Sequence, residues 1–470
     1  MPDEIVPQRC VVVLPSTGEF DSRTYRIART LHERGHEVTV LARWKPGLER
    51  REIHEVGYPI VRVETTALDG LPLRSLTLPL LRFLRLSARP GKRGAAGTAA
   101  ATPTTATDDA AATTADTAAT DDGTAPGWAH PTRRAPGTGL PSRFRDYVRR
   151  SRIFLMIRSH RRQALAVAPA ADLYHGMAYM GISVALELGK RHRAKVIYDS
   201  RDIYMVAANL ARLRGPIKAV LARMERGWAR GADRVFTVNQ PYATELARRF
   251  DVAMPVIVMN CSYRFSSPAP QPRRFHERLG LDPEMRVVLY QGGFSVGRGV
   301  EQLMAAIRQV PGAVLVVMGY GALEADFRAT AELPENQGRV HVLPAVPPTE
   351  LLDWVASADV VGVLFQHDTL NNYLSTPNKF LEAMAAGVPT VCSDHPGMGP
   401  IARETGCGIP VDPADVDAVA AAIRTIVDAP PDERSAMRAR ALAAAHDTYN
   451  WETQVQGLLE EYGRLTGSRW

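Results

Sequence analysis

Residues 373–394 read YLSTPNKFLEAMAAGVPTVCSD and divide into loop, helix, turn and strand. Thr376 can cap a helix, and Pro377 suits the first helical position, where a missing N–H costs nothing. Phe380, Leu381, Met384 and Ala385 recur at helical spacing and so face a core. Gly387 ends the helix, Pro389 prevents its continuation, and 388–392 form a short apolar strand. A helix that starts after a polar loop offers free backbone N–H groups, here those of Asn378 and Lys379, and the positive end of a dipole. That setting suits a phosphate. Glu382 lies further along the helix. It is either a solvated surface carboxylate or one that holds a ribose diol through two hydrogen bonds.

The segments upstream repeat an alternation of strand and helix. Strand 286–291 (RVVLYQ) runs into Gly292-Gly293-Phe294-Ser295-Val296-Gly297-Arg298-Gly299 and then a helix to Val310. Glycines let a backbone approach an anion, and Arg298 can neutralise a pyrophosphate with a forked contact. Strand 313–318 is followed by Gly319-Tyr320-Gly321. Strands at 339–343 and 358–364 flank a helix at 349–357, and 366–375 leads into the opening stretch. Downstream, 415–427, 433–444 and 451–465 read as helices.

The first half has the same grammar. Strand 9–14, a polar turn at 16–21, a helix at 22–34 stopped by Gly35, and strand 36–42 make a βαβ unit, hence a parallel sheet. Further strands are read at 58–63, 171–175, 195–199, 232–239 and 255–260, with helices at 178–190, 216–230 and 241–250. His175 and Asp199 stand at carboxyl ends of strands, where open α/β sheets bind ligands. A lone histidine there is either a core group or a site group. Asp199-Ser200-Arg201-Asp202 can equally form a local ion pair. Residues 71–86 are apolar with spaced arginines and read as partly helical. Residues 94–127 contain no Lys, Arg or aromatic residue. They cannot bury enough apolar surface to offset chain entropy, so they read as a disordered insertion. Residues 143–167 read as a basic amphipathic helix, which suits either an anionic membrane or the solvated face of an α/β domain. A Pro-rich hinge at 266–274 separates the halves.

Residues 378–389 (NKFLEAMAAGVP) resemble the donor-site signature of the family 4 glycosyltransferases, retaining enzymes of the GT-B fold. The resemblance implies two Rossmann-like α/β domains facing a central cleft. It places an acceptor-side domain at 1–265 (with the insertion at about 90–140), a donor domain at 272–447, and a helix at 448–470 that crosses back to the first domain. It implies that Glu382 binds the nucleotide ribose and that Gly292, Gly293 and Gly319 admit the phosphates. Leu343 and Val346 would lie against the base. Thr376, Pro377 and Asn378 would take the donor sugar, and Gly18 and Asp199 the acceptor side. His175 matches an Asp-x-x-His position that contacts the donor sugar. Departures are present. Gly293 replaces an arginine, Arg298 replaces a lysine, and Leu374 replaces a glutamate that would hold the sugar. Arg201 and Asp202 stand for His and Glu, and the first loop keeps only Gly18. Lys379 is read as the second cation, so His175, Arg298 and Lys379 form the expected catalytic set. No metal or cofactor is expected; the nucleotide-sugar is a co-substrate.

The totals bound the function. At 470 residues, 45% hydrophobic and 23% charged, the chain suits a soluble globular protein of two or three domains. Four scattered cysteines lack metal-ligand spacing and read as reduced thiols. The N-terminus carries no secretory signal pattern and no apolar run reaches the ~20 residues of a membrane span. A cytoplasmic chain is expected, peripheral on the inner membrane face if 143–167 binds lipid. The 57 basic against 50 acidic residues leave +7, which suits an anionic substrate. Nucleic acid is not expected, because no recognition motif is present. The expected function is transfer from a UDP-sugar, or a GDP-sugar, to a glycan or lipid-linked hydroxyl in surface polysaccharide or glycolipid assembly. A sugar-nucleotide epimerase and a catalytically degenerate partner subunit are the alternatives. A nicotinamide enzyme is disfavoured by the missing three-glycine fingerprint.

Overall fold

The computed structural model describes residues 6–19, 21–67, 140–207, 210, 213 and 215–470. The helix expected at 71–86 and the insertion at about 90–140 lie outside these, apart from the helical residue 140.

Short runs rich in Val, Ile and Leu, buried on both faces, make two sheets, as parallel strands covered by helices require. The first contains β1 (Arg9–Val13), β2 (Glu37–Trp44), β3 (Arg51–Ile53), β4 (Pro59–Glu64), β5 (Leu173–Met177), β6 (Lys195–Asp199), β7 (Arg234–Thr237) and β8 (Val256–Ile257). Their order is β3-β4-β2-β1-β5-β6-β7-β8. All pairs are parallel except β3 with β4. The second sheet contains β9 (Arg286–Gly293), β10 (Ala313–Tyr320), β11 (Val340–Pro344), β12 (Val360–Val363), β13 (Thr390–Ser393) and β14 (Gly408–Val411). Its order is β11-β10-β9-β12-β13-β14, parallel throughout. Strand order reverses between β1 and β5 in one sheet and between β9 and β12 in the other. Such switch points open crevices at the carboxyl ends of the strands, and here both crevices face one cleft.

Each sheet has a core on either face. Trp451, Leu458 and Tyr462 of the helix Trp451–Thr466 belong to the cluster around Val12, Val40, Ile197 and Phe236 of the first sheet. The last helix therefore packs on the first lobe, although the second sheet precedes it in the chain. The four cysteines are buried and free.

Several local expectations need correction. Pro377 is extended (φ −71°, ψ 148°) and is itself the N-cap of the helix Asn378–Ala385, which has no side-chain cap. The Thr376 hydroxyl is used elsewhere: it donates to the Gly397 carbonyl (2.6 Å) and accepts from Asn239 Nδ2 (3.0 Å). Strand β9 continues to Gly293, the expected strand 388–392 is Thr390–Ser393, and the hairpin partner β3 was not anticipated. A short helix, Leu370–Leu374, occupies the segment read as a lead-in loop, capped by Thr369. The helix expected at 143–167 spans Leu140–Val167. In its described half part of the apolar side packs on the first lobe. Ile153, Phe154 and Ile157 pack with Tyr179, Met180, Tyr204 and Met205. Ser159 and His160 hydrogen-bond Thr66 and Thr65 at the end of β4. Among the described residues no helix is long and apolar enough to cross a membrane.

Candidate active site

A cleft of about 660 Å³ lies between the carboxyl ends of the two sheets. Its second-sheet wall is built from the ends of β9 and β12 and the start of the helix Asn378–Ala385. Gly292 and Gly319 stand side by side in register. A Cβ on Gly319 (φ +158°) would sit 1.9 Å from the Gly292 carbonyl oxygen, so only glycine lets these strand ends meet. At Gly293 an added Cβ would meet nothing within 4 Å, which leaves this backbone open towards the cleft.

Two cations converge on this wall. The Arg298 guanidinium lies 4.2 Å from the centroid of the Phe365 ring and its Nε donates to Ser295 Oγ (3.3 Å). Lys379 Nζ lies 4.0 Å from the Tyr290 ring centroid and 5.7 Å from that of Phe365. Both residues line the cleft, together with Thr376, Pro377 and Asn378. Glu382 is not solvated. It is buried, accepts from Gln291 Nε2 (2.9 Å), and is not among the cleft-lining residues. Leu343 and Val346 pack on the second-sheet core and do not line the cleft either.

On the first-sheet wall Gly18 follows β1 in the left-handed region (φ +79°) and lines the cleft. His175 and Asp199 do not. Both are fully buried, one layer inside the sheet. Asp199 accepts from Arg23 Nε (2.7 Å) and Nη2 (3.2 Å) and from His175 Nε2 (3.0 Å). The Tyr462 hydroxyl lies 2.5 Å from His175 Nδ1. Burial alone would raise the Asp199 carboxyl, but the charge of Arg23 and the hydrogen bond from His175 outweigh it, and the group is held below the usual carboxylate range. Burial lowers His175 despite the neighbouring carboxylate. A neutral ring that donates from Nε2 to Asp199 must accept at Nδ1, so the Tyr462 hydroxyl is the donor. The expected contact of His175 with a donor sugar is therefore corrected: this imidazole orients Asp199, which in turn fixes Arg23 at the cleft wall. The local ion pair proposed within 199–202 is also absent. Arg201 instead reaches Asp21 Oδ1 (2.6 Å), the cap of the first helix.

Sequence reasoning missed Arg23, Tyr204, Asn260, Phe365 and Asn371. Each sits in a segment without a motif and owes its place to contacts far along the chain. Asn371 is the clearest case. Its Oδ1 accepts from Ile203 N (2.8 Å) and the Tyr242 hydroxyl (2.9 Å), and its Nδ2 donates to Asp202 Oδ1 (2.9 Å). It thus ties the short helix of the second lobe to the first. Next to it, Leu374 packs on the first-sheet cluster and its carbonyl accepts from Asn239 Nδ2 (2.8 Å). Among the described residues no group of three or more His, Cys, Asp or Glu is placed to hold a metal ion.

Comparisons with known proteins agree with this geometry. Residues 272–443 match the family model described as glycosyl transferases group 1. The chain is 30% identical over 192 residues to a D-inositol 3-phosphate glycosyltransferase of Segniliparus rotundus, a match covering 39% of this chain and 41% of the relative. It is 26% identical over 287 residues to a glycogen synthase of Mycobacterium tuberculosis, covering 58% of this chain and 66% of that one. The first of these matches thus spans about two fifths of the relative's length. Among solved structures, a sucrose-phosphate synthase from Thermosynechococcus elongatus superposes with a TM-score of 0.65 at 17% identity, covering 98% of this chain and 99% of that one. Anabaena HepE in complex with UDP-glucose superposes with a TM-score of 0.62 at 13% identity, covering 97% and 100%. The fold is the GT-B arrangement of two Rossmann-like units around a cleft.

Proposed function

We propose that the chain, whose residues 272–443 match the glycosyl transferases group 1 model, is a retaining glycosyltransferase that moves a sugar from a nucleoside-diphosphate sugar to a hydroxyl acceptor. The observation that carries this reading is the convergence of Arg298 and Lys379 on the Phe365 ring beside the open backbone of Gly293. A diphosphate there gains charge as the bond from sugar C1 to phosphate oxygen breaks. Cations fixed beforehand stabilise that charge at little reorganisation cost. The acceptor oxygen bonds to C1 from the same face, and its proton passes to the departing phosphate. Lys379 supplies the charge that Gly293 no longer can. Asn378 and the backbone at the start of its helix support the donor sugar in place of the glutamate replaced by Leu374. Glu382, buried and held by Gln291, is the carboxylate assigned to the ribose, on condition that nucleotide binding exposes it. UDP is the nucleotide we assign, in line with HepE, whose structures hold UDP and UDP-glucose.

Arg298→Ala tests the charge assignment. Arg298 makes no ion pair among the described residues, so its loss should leave melting within a few degrees. The rate constant kcat/KM for donor turnover should fall about 100-fold or more, measured by steady-state nucleotide release. An unchanged rate would remove Arg298 from the site. Gly293 and Leu374 also favour a degenerate partner subunit as a second reading. Absence of any thermal shift with UDP, GDP or ADP sugars would select it.

A further inference from the structure

Behind the first-sheet wall of the cleft lies a second cavity of about 520 Å³. It is bounded by the short turn Tyr204–Val206 and by the helices Pro216–Gly231 and Gln240–Phe250. Ile203, Met205, Leu246 and Phe250 give it buried apolar walls. Glu225 lies among them, also buried, with the Tyr198 hydroxyl donating to its Oε1 (2.7 Å). Burial raises this carboxyl to about 7, against the hydrogen bond from Tyr198 and the charge of Arg249. The floor of the cavity can therefore hold a proton near neutral pH and need not repel an anion.

Arg223, Arg226, Arg248 and Arg249 line the same cavity. Carboxylates answer them only in part. Glu245 is shared by Arg248 (2.8 Å) and Arg249 (2.5 Å), and Asp251 by Arg226 (3.1 Å) and Arg230. Arg223 makes no ion pair among the described residues. Arg223, Arg226 and Arg248 are exposed, so a surplus of positive charge stands at the mouth, with the apolar walls inside. Guanidinium groups in such a surplus favour a phosphoryl group, which accepts forked contacts from more than one of them. The volume suits a small molecule with an apolar body.

One turn separates this cavity from the cleft, and Tyr204 lines both. Ile203 lines the rear cavity, and its backbone N–H donates to Asn371 Oδ1 (2.8 Å), the side chain that ties the second lobe to the first. A ligand in the rear cavity stays away from the reacting atoms and acts through this turn. We infer that the cavity binds a small phosphoryl anion with an apolar body, and that the bound anion steadies the turn Tyr204–Val206 and with it the Asn371 tie between the lobes. The binding site stands apart from the transferase reading; only its coupling to UDP rests on that reading.

The probe is phenyl phosphate, titrated by calorimetry into the full chain, with inorganic phosphate and benzyl alcohol as the anion and the apolar body alone. Phenyl phosphate should bind about 10-fold or more tightly than either. Arg223→Ala combined with Arg248→Ala, at two exposed positions, should keep melting within a few degrees and weaken phenyl phosphate about 10-fold or more. Arg298→Ala, in the cleft, should leave that Kd at the parent value. Absence of binding overturns the inference, and so does binding that is lost with Arg298 and kept in the double variant, because the anion then sits in the cleft. Vesicles of anionic phospholipid offer the same chemistry from a headgroup. Vesicle binding that the double variant loses, without any binding of phenyl phosphate, also overturns the inference. Saturating phenyl phosphate should tighten UDP about 3-fold or more, and UDP should tighten phenyl phosphate by the same factor, in the parent and not in Asn371→Ala. An unchanged or weakened UDP Kd in the parent overturns the coupling. Failure of UDP to bind at all counts against the transferase reading and not against the rear cavity, whose own titration needs no UDP.

Discussion

Arg23 shows how a charged residue can be buried and still form part of the cleft wall. Its guanidinium is held by Asp199 and by the Val258 carbonyl (2.5 Å), so a charge is kept out of water only because every direction has an answering group. Glu225 is a carboxylate with fewer such answers. It accepts from the Tyr198 hydroxyl (2.7 Å), and burial raises its pKa from 4.5 to about 7. The folded state thus keeps a proton that the unfolded chain has lost near its ordinary value. The stability due to this proton is complete below about pH 4.5 and is lost as pH rises through about 7. Glu225→Gln keeps the shape without the titration. Its melting temperature relative to the parent should rise across that window and level off above it; a pH-independent difference would contradict the assignment. The place of Arg298 and Lys379 on the cleft wall was legible from the sequence, because glycine-rich turns and helix starts are local signals. Arg23 and the buried state of His175 were not. Both depend on Asp199, 176 residues from Arg23, and nothing local reports that distance.

Among the elements, the helix Asn378–Ala385 was readable because its apolar spacing is regular and Gly387 ends it. The neighbouring helix Leu370–Leu374 was not, because five residues carry no period. Its stability comes from the other lobe, through Asn371 to Ile203, Tyr242 and Asp202. Thr376 was misread for the same reason. Capping rules are local, whereas its hydroxyl serves Asn239 and Gly397 across the fold. Asn371→Ala removes all three side-chain contacts of this tie. X-ray scattering should show a larger radius of gyration without nucleotide and a return towards the parent value when UDP is added, as hinge closure requires. A scattering curve that matches the parent in both states would locate the tie elsewhere.

At the scale of the whole molecule, the turns at 16–21 and 292–299 were legible, because each joins a strand to a helix through glycine; the reversal of strand order beside them was not. The facing of two crevices across one cleft came only from the family resemblance, because no local pattern reports the relative placement of two sheets. The last helix adds a further dependence. Val12, Val40, Ile197 and Phe236 are covered in part by Trp451, Leu458 and Tyr462, and His175 takes its Nδ1 partner from Tyr462. The ribosome therefore delivers the first lobe early but withholds a piece of its core until the second lobe has been made. The second lobe, continuous in sequence, is free to fold as it emerges. Chains stalled with residue 447 just outside the exit tunnel should show a protease-resistant second lobe and a cleavable first one. Chains stalled on a linker beyond residue 470 should resist in both. Equal resistance at the two lengths would mean that the first lobe closes its core without the last helix. With that helix required, the earlier-made lobe is the later-finished one, and it stays exposed to chaperones and proteases while the second lobe is made.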